Sequence, residues 1–243
     1  MTIMDSIPKK HTSEKDWVRE SRFGRWFLTT NIWFRYVLSE SVCDFKQLLK
    51  NRIPGTDQIL DAGCGQGLAF VLLAEHFQPK TIIGVDIDKE EISIAPETAK
   101  RCKCEVKLEN GTVCNLNISD SSIDMIFSHQ LLHHISDQTR ALEEFYRILM
   151  PGGVILISES CRSFINSFPV RLLFRHPMHV QKTAEEYVAL VQSIGFKIDD
   201  NDIKTSMPWW SRNDYGVTEK IGLSQKRQEV TEILMIARKS VRD

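Results

Sequence analysis

The stretch Leu60-Asp-Ala-Gly-Cys-Gly-Gln-Gly67 decides the fold of this chain. A short run at 58–60 reads as a strand, and the apolar residues 68–76 read as a helix, so Gly63, Gly65 and Gly67 fall on a strand-to-helix turn. Glycines there let the backbone bend sharply and approach a ligand closely, and the start of the next helix offers free N–H groups to an anion. The spacing is G-x-G-x-G, whereas the dinucleotide-binding fingerprint is G-x-G-x-x-G. That difference argues against a nicotinamide-dependent oxidoreductase.

Outward from the turn, residues 53–153 alternate short β-type runs with longer helical stretches, the pattern of a parallel sheet covered by helices. Strands are expected at 81–86, 104–108 and 123–128, with helices at 89–101, where Pro96 should break or kink the chain, and at 138–149. Pro151-Gly-Gly153 ends the last helix and opens a strand at 154–158. Thr183-Ala-Glu-Glu186 matches a capping box for a helix running to 194, and strands at 196–199 and 233–238 follow. Two regions stand outside the alternation: residues 17–49, rich in Trp and Phe, and residues 162–182. Both are candidates for covering the open end of the sheet, so the division is an N-terminal helical extension or lid over 1–50 and a main domain over 51–240 that carries the 162–182 insertion.

Bulk properties narrow the function. The 243 residues are 42% hydrophobic and 26% charged with a net charge of −1, an ordinary globular balance without a field that would attract nucleic acid. No apolar run approaches the about 20 residues of a membrane span, and residues 1–10 lack the apolar core of a secretory signal, so the expected location is the cytoplasm. The six cysteines form no C-x-x-C pair, so no metal ligands are assigned, and the close pair Cys102 and Cys104 reads as two thiols on one strand face.

Asp86 closes Ile82-Ile-Gly-Val-Asp86 about 20 positions past the glycines, where a carboxylate accepts hydrogen bonds from ribose hydroxyls. With this residue in place, the region resembles the core of the class I S-adenosylmethionine-dependent methyltransferases, especially the ubiquinone and menaquinone branch. The resemblance rests on residues 60–67, Gly84-Val-Asp86, residues 111–124, Leu131-Leu-His-His-Ile135 and Arg147-Ile-Leu-Met-Pro-Gly-Gly153. It implies a Rossmann-like three-layer α/β sandwich, whose seven-stranded sheet is mostly parallel with an antiparallel last strand. It further implies that Asp61, Gly63, Gly65 and Gly67 hold the amino-acid part of the cofactor and Asp86 its ribose, with Cys64, Ile87, Val113 and Ser128 counted in the same site. Where the family pattern has Gly-Asp-Ala beside the adenine, this chain has Gly111-Thr112-Val113. Thr112 replaces a charge-assisted contact with a neutral one.

The acceptor is less defined. Ser128-His129-Gln130 follows the fourth strand, where amine-directed methyltransferases carry Asn/Asp-Pro-Pro-Tyr, and no Pro-Cys nucleophile is present. A small, partly apolar acceptor methylated at oxygen or activated carbon is therefore expected, with His129 as the base because imidazole titrates near neutrality. His133 and His134 are expected to pack at a helix start. Trp209, Trp210 and Tyr215 are candidates for a second wall, while Arg22, Arg25, Arg171, Arg175 and His176 suggest an anionic acceptor group or a peripheral membrane surface, or else a solvated charged face. The competing readings are an RNA or protein methyltransferase and a regulatory module that binds S-adenosylmethionine without catalysis. The oligomeric state is not legible.

Overall fold

The computed structural model describes residues 17–50, 52, 55–208, 211 and 229–241. Trp209, Trp210 and Tyr215 lie outside the described residues. The seven strands are β1 (Gln58–Ala62), β2 (Thr81–Asp86), β3 (Glu105–Asn110), β4 (Ile123–His129), β5 (Leu149–Ser160), β6 (Ile203–Ser206) and β7 (Glu232–Arg238), in the order β3-β2-β1-β4-β5-β7-β6. β1 to β5 pair in parallel, and β7 runs antiparallel to both β5 and β6. The strand order reverses beside β1, which pairs with β2 on one side and β4 on the other. In an open parallel sheet that reversal leaves a crevice beyond the carboxyl ends of the strands.

Alternation along the strands builds two cores. Ile59, Met125 and Phe127 face one side, with Phe70 and Leu73 of α3 (Leu68–Phe77) and Val42 and Phe45 of α2 (Ser39–Leu49). Leu60, Ala62 and Ile126 face the other, with Leu142 and Phe145 of α6 (Gln138–Ile148) and Tyr187 and Val191 of α9 (Ala184–Ser193). Each wholly buried phenylalanine contributes about 2 kcal/mol of burial free energy, which makes α2 a layer of the sandwich. The chain preceding it is different: α1 (Arg22–Leu28), a helical turn at Asn31–Trp33 and a π-helical stretch at Phe34–Leu38 bury only Gly24 and Leu38 fully.

Several elements depart from expectation. The helix expected at 89–101 is two pieces, α4 (Lys89–Ile92) and α5 (Ala95–Ala99), because Pro96 has no N–H to donate and sits in the first turn of the second. Cys102 and Cys104 precede β3 rather than lying on it. β5 begins before the Pro-Gly-Gly turn: Gly152 has φ +80°, and the backbones of Gly152 and Gly153 pair with Lys239 beyond β7. The strand expected at 196–199 is a single bridge, Lys197 to Arg238, while the edge strand β6 starts after a 3-10 turn at Asp200–Asp202. Asp202 is wholly buried beneath Arg52, which donates to both of its oxygens, and this pairing displaces the strand toward the carboxyl end. The capping box forms as read, with Thr183 and Glu186 each accepting the other's backbone N–H. Among the described residues no helix is long and apolar enough to cross a membrane.

Candidate active site

The glycine turn leads from β1 into α3. Gly63, Gly65 and Gly67 all have positive φ (72°, 51° and 74°), a region side chains disfavour. They are not equivalent. A Cβ on Gly63 would lie 2.6 Å from Leu131 Cδ1, whereas one on Gly65 would meet nothing within 4 Å. Gly65 therefore faces open space where a ligand backbone would pass. The turn is fastened to β2 by the N–H groups of Gly63 and Cys64, which donate to Val85 O, and by Gly65 N–H, which donates to Asp86 Oδ2 at 2.7 Å.

Asp61 and Asp86 stand at the ends of neighbouring strands, and their electrostatics differ from those of surface carboxylates. Asp61 is buried and its Oδ2 has no hydrogen-bond partner among the described residues. Burial, with the charge of Asp86 adding, pushes it up to about 8. Asp86 is pushed up to about 6 by burial, against the stabilising N–H groups of Asp88 and Gly65. Asp61 Oδ2 is thus a buried acceptor left open beside the glycine turn. Asp86 keeps lone pairs for further donors, since a carboxylate offers about four.

These residues line one cavity of about 1060 Å³, near the upper end for ligand pockets. Asp61, Gly63, Cys64, Gly65, Asp86, Ile87, Thr112, Val113 and His129 all contribute to its wall. Thr112 Oγ1 accepts from Cys114 N–H at 3.2 Å, which leaves its hydroxyl hydrogen to donate. Two residues named from sequence are elsewhere. Gly67 shapes the turn from behind as the cap of α3, its Cβ position filled by the Phe70 ring. Ser128 is wholly buried and unpartnered, because Phe127 and His129 take the cavity-facing positions of β4 and alternation turns Ser128 to the opposite face.

His129 closes β4. Its ring stacks on Phe127 (5.7 Å between centroids, 4° between planes), meets Trp33 edge-on at 5.6 Å, and brings Nε2 within 3.3 Å of Ser41 Oγ. Burial lowers it to about 3, with His133 adding, so the ring is neutral at physiological pH. Over it lie both regions that stood outside the strand–helix alternation. Trp17, Phe27, Trp33 and Tyr36 line the cavity from the N-terminal side, while Phe164, Val170 and Phe174 line it from the stretch containing α7 (Arg162–Ile165) and α8 (Phe168–Leu173). The two meet through Phe174 against Phe23 and Phe27 (5.7 and 5.9 Å) and through Arg175 N–H donating to Glu20.

Of the basic group expected at the opening, Arg22, Arg171 and Arg175 are exposed, while Arg25 and His176 are not free charges. Arg25 pairs with Glu90 and Glu91, Arg19 pairs with Asp88 and Glu90, and burial pushes His176 down to about 3. Sequence reading missed Glu159 and Glu20, whereas Trp17 belongs to the aromatic stretch expected to cover the open end of the sheet, and it lines the cavity. Glu159 was detectable as an acidic residue inside the apolar β5; wholly buried, it accepts from the N–H groups of Leu131 and Leu132 and sits 2.6 Å from His133 Nδ1. Glu20 carries no local signal.

Comparison with known proteins agrees with this geometry. Residues 60–157 match the family described as Methyltransferase domain. A probable S-adenosylmethionine-dependent methyltransferase of Mycolicibacterium smegmatis is 33% identical over 171 residues, 70% of this chain and 61% of that protein. Phosphoethanolamine N-methyltransferase 3 of Arabidopsis thaliana is 33% identical over 144 residues, 59% of this chain and 28% of that protein. The chain thus spans less than two thirds of these relatives. Among solved structures, the YcgJ protein of Bacillus subtilis superposes with a TM-score of 0.62 at 20% identity, covering 83% of this chain and 98% of that one. The [4+2]-cyclase SpnF does so with 0.61 at 19%, covering 82% and 81%. These two show the fold, and the cyclase shows that the fold alone does not fix the reaction. The ubiquinone and menaquinone branch receives no particular support from these relatives. Residues 60–157 are thus similar to the Methyltransferase domain family, and the strand order is that of a fold shared with these solved structures.

Proposed function

We propose that the protein transfers a methyl group from S-adenosylmethionine to a small, partly apolar molecule. The observation that carries this reading is the unpartnered Asp61 carboxyl beside the open Gly65 cradle, in a cavity shared with His129. Asp61 would meet the ammonium of the cofactor, the turn N–H groups its carboxylate, Asp86 the ribose hydroxyls, and Thr112 with Val113 the adenine. Bound there, S-adenosylmethionine supplies a methyl carbon on a cationic sulfur, a good leaving group, so the protein chiefly has to align the acceptor.

The acceptor side is aromatic and enclosed. The segment around α1 and that around α8 act as a two-part lid, and their exposed Trp26, Ile32, Phe168 and Leu172 support delivery of an apolar acceptor, including from a membrane surface. His129 is the group placed to receive a hydroxyl hydrogen bond. Held neutral by burial, His129 would accept the proton that an acceptor hydroxyl has to lose on methylation. An activated carbon acceptor uses the same geometry. The phosphoethanolamine N-methyltransferases among the relatives favour a second reading, a small amine. Both disfavour RNA, as does the net charge of −1. Six cysteines outside any disulfide suit a reducing, cytoplasmic compartment.

The test is incubation of purified protein and labelled S-adenosylmethionine with fractionated cell extract. Label entering a small-molecule fraction, dependent on intact Asp86, supports the reading. Label confined to RNA or protein overturns it, and cofactor binding without turnover in any fraction would leave a regulatory binding module.

A further inference from the structure

Three histidines gather on one wall of the cavity. His133 and His134 come from the 3-10 turn Leu132–His134 after β4, and His176 from the chain following α8. One ligand nitrogen from each lies within 4.8 Å of the other two, and the ring centroids are 4.3, 5.1 and 4.8 Å apart. Three imidazoles crowded together in a protein interior leave lone pairs and N–H groups facing one another, a costly arrangement without a shared partner.

A second observation gives the cluster a direction. Glu159 is wholly buried at the end of β5, and its Oε1 accepts from the N–H groups of Leu131 and Leu132 at 3.0 and 2.7 Å. Its Oε2 lies 2.6 Å from His133 Nδ1, so this nitrogen donates to the carboxylate and Nε2 is left to coordinate. A carboxylate behind the far ring nitrogen is the arrangement that orients metal-bound histidine and raises its basicity. Glu20 brings a further carboxyl oxygen within 4.0 Å of His176 Nε2.

We propose that His133, His134 and His176 form a binding site for a zinc-class divalent transition-metal ion, with Glu159 orienting His133 and the remaining coordination position open to the cavity. Three nitrogen ligands suit zinc, copper or nickel and disfavour magnesium and calcium, which require oxygen. Three protein ligands with one open position is also the ligand count of catalytic rather than structural zinc. Cysteine spacing gave no hint of it, because the ligands come from segments brought together only by folding.

The test uses full-length protein stripped with a chelator and then freed of it. Calorimetric titration should show saturable uptake of one Zn2+ at sub-micromolar Kd, undiminished by excess Mg2+, and Co2+ should give the visible absorption of a low-coordinate nitrogen site. His176→Ala and His134→Ala should each weaken Zn2+ binding about 100-fold while circular dichroism stays unchanged. Glu159→Gln should weaken it about 10- to 100-fold. Should the buried Glu159 variant fail to fold, the part-exposed His176 decides alone. Absence of saturable binding in the unsubstituted protein overturns the proposal, and so does binding that survives His176→Ala, which would place the ion on the thiols or elsewhere. Metal uptake is read without cofactor or acceptor, so it stands or falls separately from methyl transfer.

Discussion

The glycine turn and the aromatic roof bound the same cavity and are built on opposite principles. The turn is local: three glycines with positive φ, two strand-end carboxylates and a parallel register that places Asp61 beside Gly84 and carries Asp86 to the end of the neighbouring strand. The roof is long-range: Phe174 reaches Phe23 and Phe27, and Arg175 reaches Glu20 across a sequence separation of 155 residues. A local device is strained by single substitutions, whereas a roof of many weak contacts gives way gradually. The cofactor end should therefore be brittle and the acceptor end tolerant.

The sharpest way to break this contrast is at the glycines. Gly63→Val adds both a β-branched side chain at φ +72° and a Cβ contact of 2.6 Å with Leu131. Left-handed strain of about 1–2 kcal/mol and overpacking of about 1–3 kcal/mol together should abolish measurable cofactor binding and lower Tm by many degrees. Gly65→Ala carries only the first cost, since nothing lies within 4 Å of its Cβ, so thermal unfolding should separate the two. Equal losses would show that open space at Gly65 is irrelevant. Next in size is Asp86→Ala. It removes an acceptor for Gly65 and Asp88 N–H and, on the proposed reading, for the ribose hydroxyls, each worth about 1.5–3 kcal/mol when charged. Cofactor Kd should rise about 100-fold or more, and binding like that of the unsubstituted protein would remove Asp86 from the site.

Asp61 sharpens the comparison through pH. With its carboxyl at about 8 in the free protein, it is mostly protonated at pH 7, and pairing with the cofactor ammonium requires it to ionise. Binding should release close to one proton at pH 7, visible as a dependence of calorimetric heat on buffer ionisation. Affinity should rise from pH 6 toward 8, by up to about tenfold per unit, the direction expected when the bound form holds fewer protons, and fall above it as the α-amino group of the cofactor, at about 7.7–8.0, loses its own proton. Asp61→Asn should flatten that slope. The roof predicts a smaller effect of another kind: Phe174→Ala should raise the acceptor KM severalfold and leave cofactor Kd within about twofold, because its ring contacts are worth about 0.5–1.5 kcal/mol each and lie on the acceptor side.

The same division explains what could be read from sequence. Strands β1 to β4, the helix after the glycines and the capping box at Thr183 follow from periodicity and turn chemistry, which are short-range. Asp61 and Asp86 were legible because a strand end fixes where a side chain points. Ser128 was misplaced by one residue of alternation, a shift that turns a strand side chain to the opposite face. The edge strand was expected at 196–199 because the Arg52 to Asp202 pair that sets its true start joins residues 150 apart. Glu20 belongs to a wall that exists only after folding, and the 17–49 stretch concealed that α2 is core while the chain before it faces the cavity.

Thr112 tests the contrast at its weakest point, since it lies at the cofactor end yet departs from the resemblance that made that end legible. Its hydroxyl oxygen already accepts from Cys114 N–H, which leaves its hydrogen to donate to a ring nitrogen of adenine on the proposed reading. A carboxylate at this position would accept from the exocyclic amine instead, and a charge-assisted bond is about twice as strong as a neutral one. Thr112→Asp should therefore tighten S-adenosylmethionine by about fivefold, with little change in kcat because adenine is remote from the reacting carbon. Thr112→Val, which keeps the shape and removes the donor, should weaken it by a similar factor. If Asp weakens binding as much as Val does, the cavity wall around Val113 is shaped for a donor, and the threonine is a matched part of this site rather than a loosened copy of the family contact.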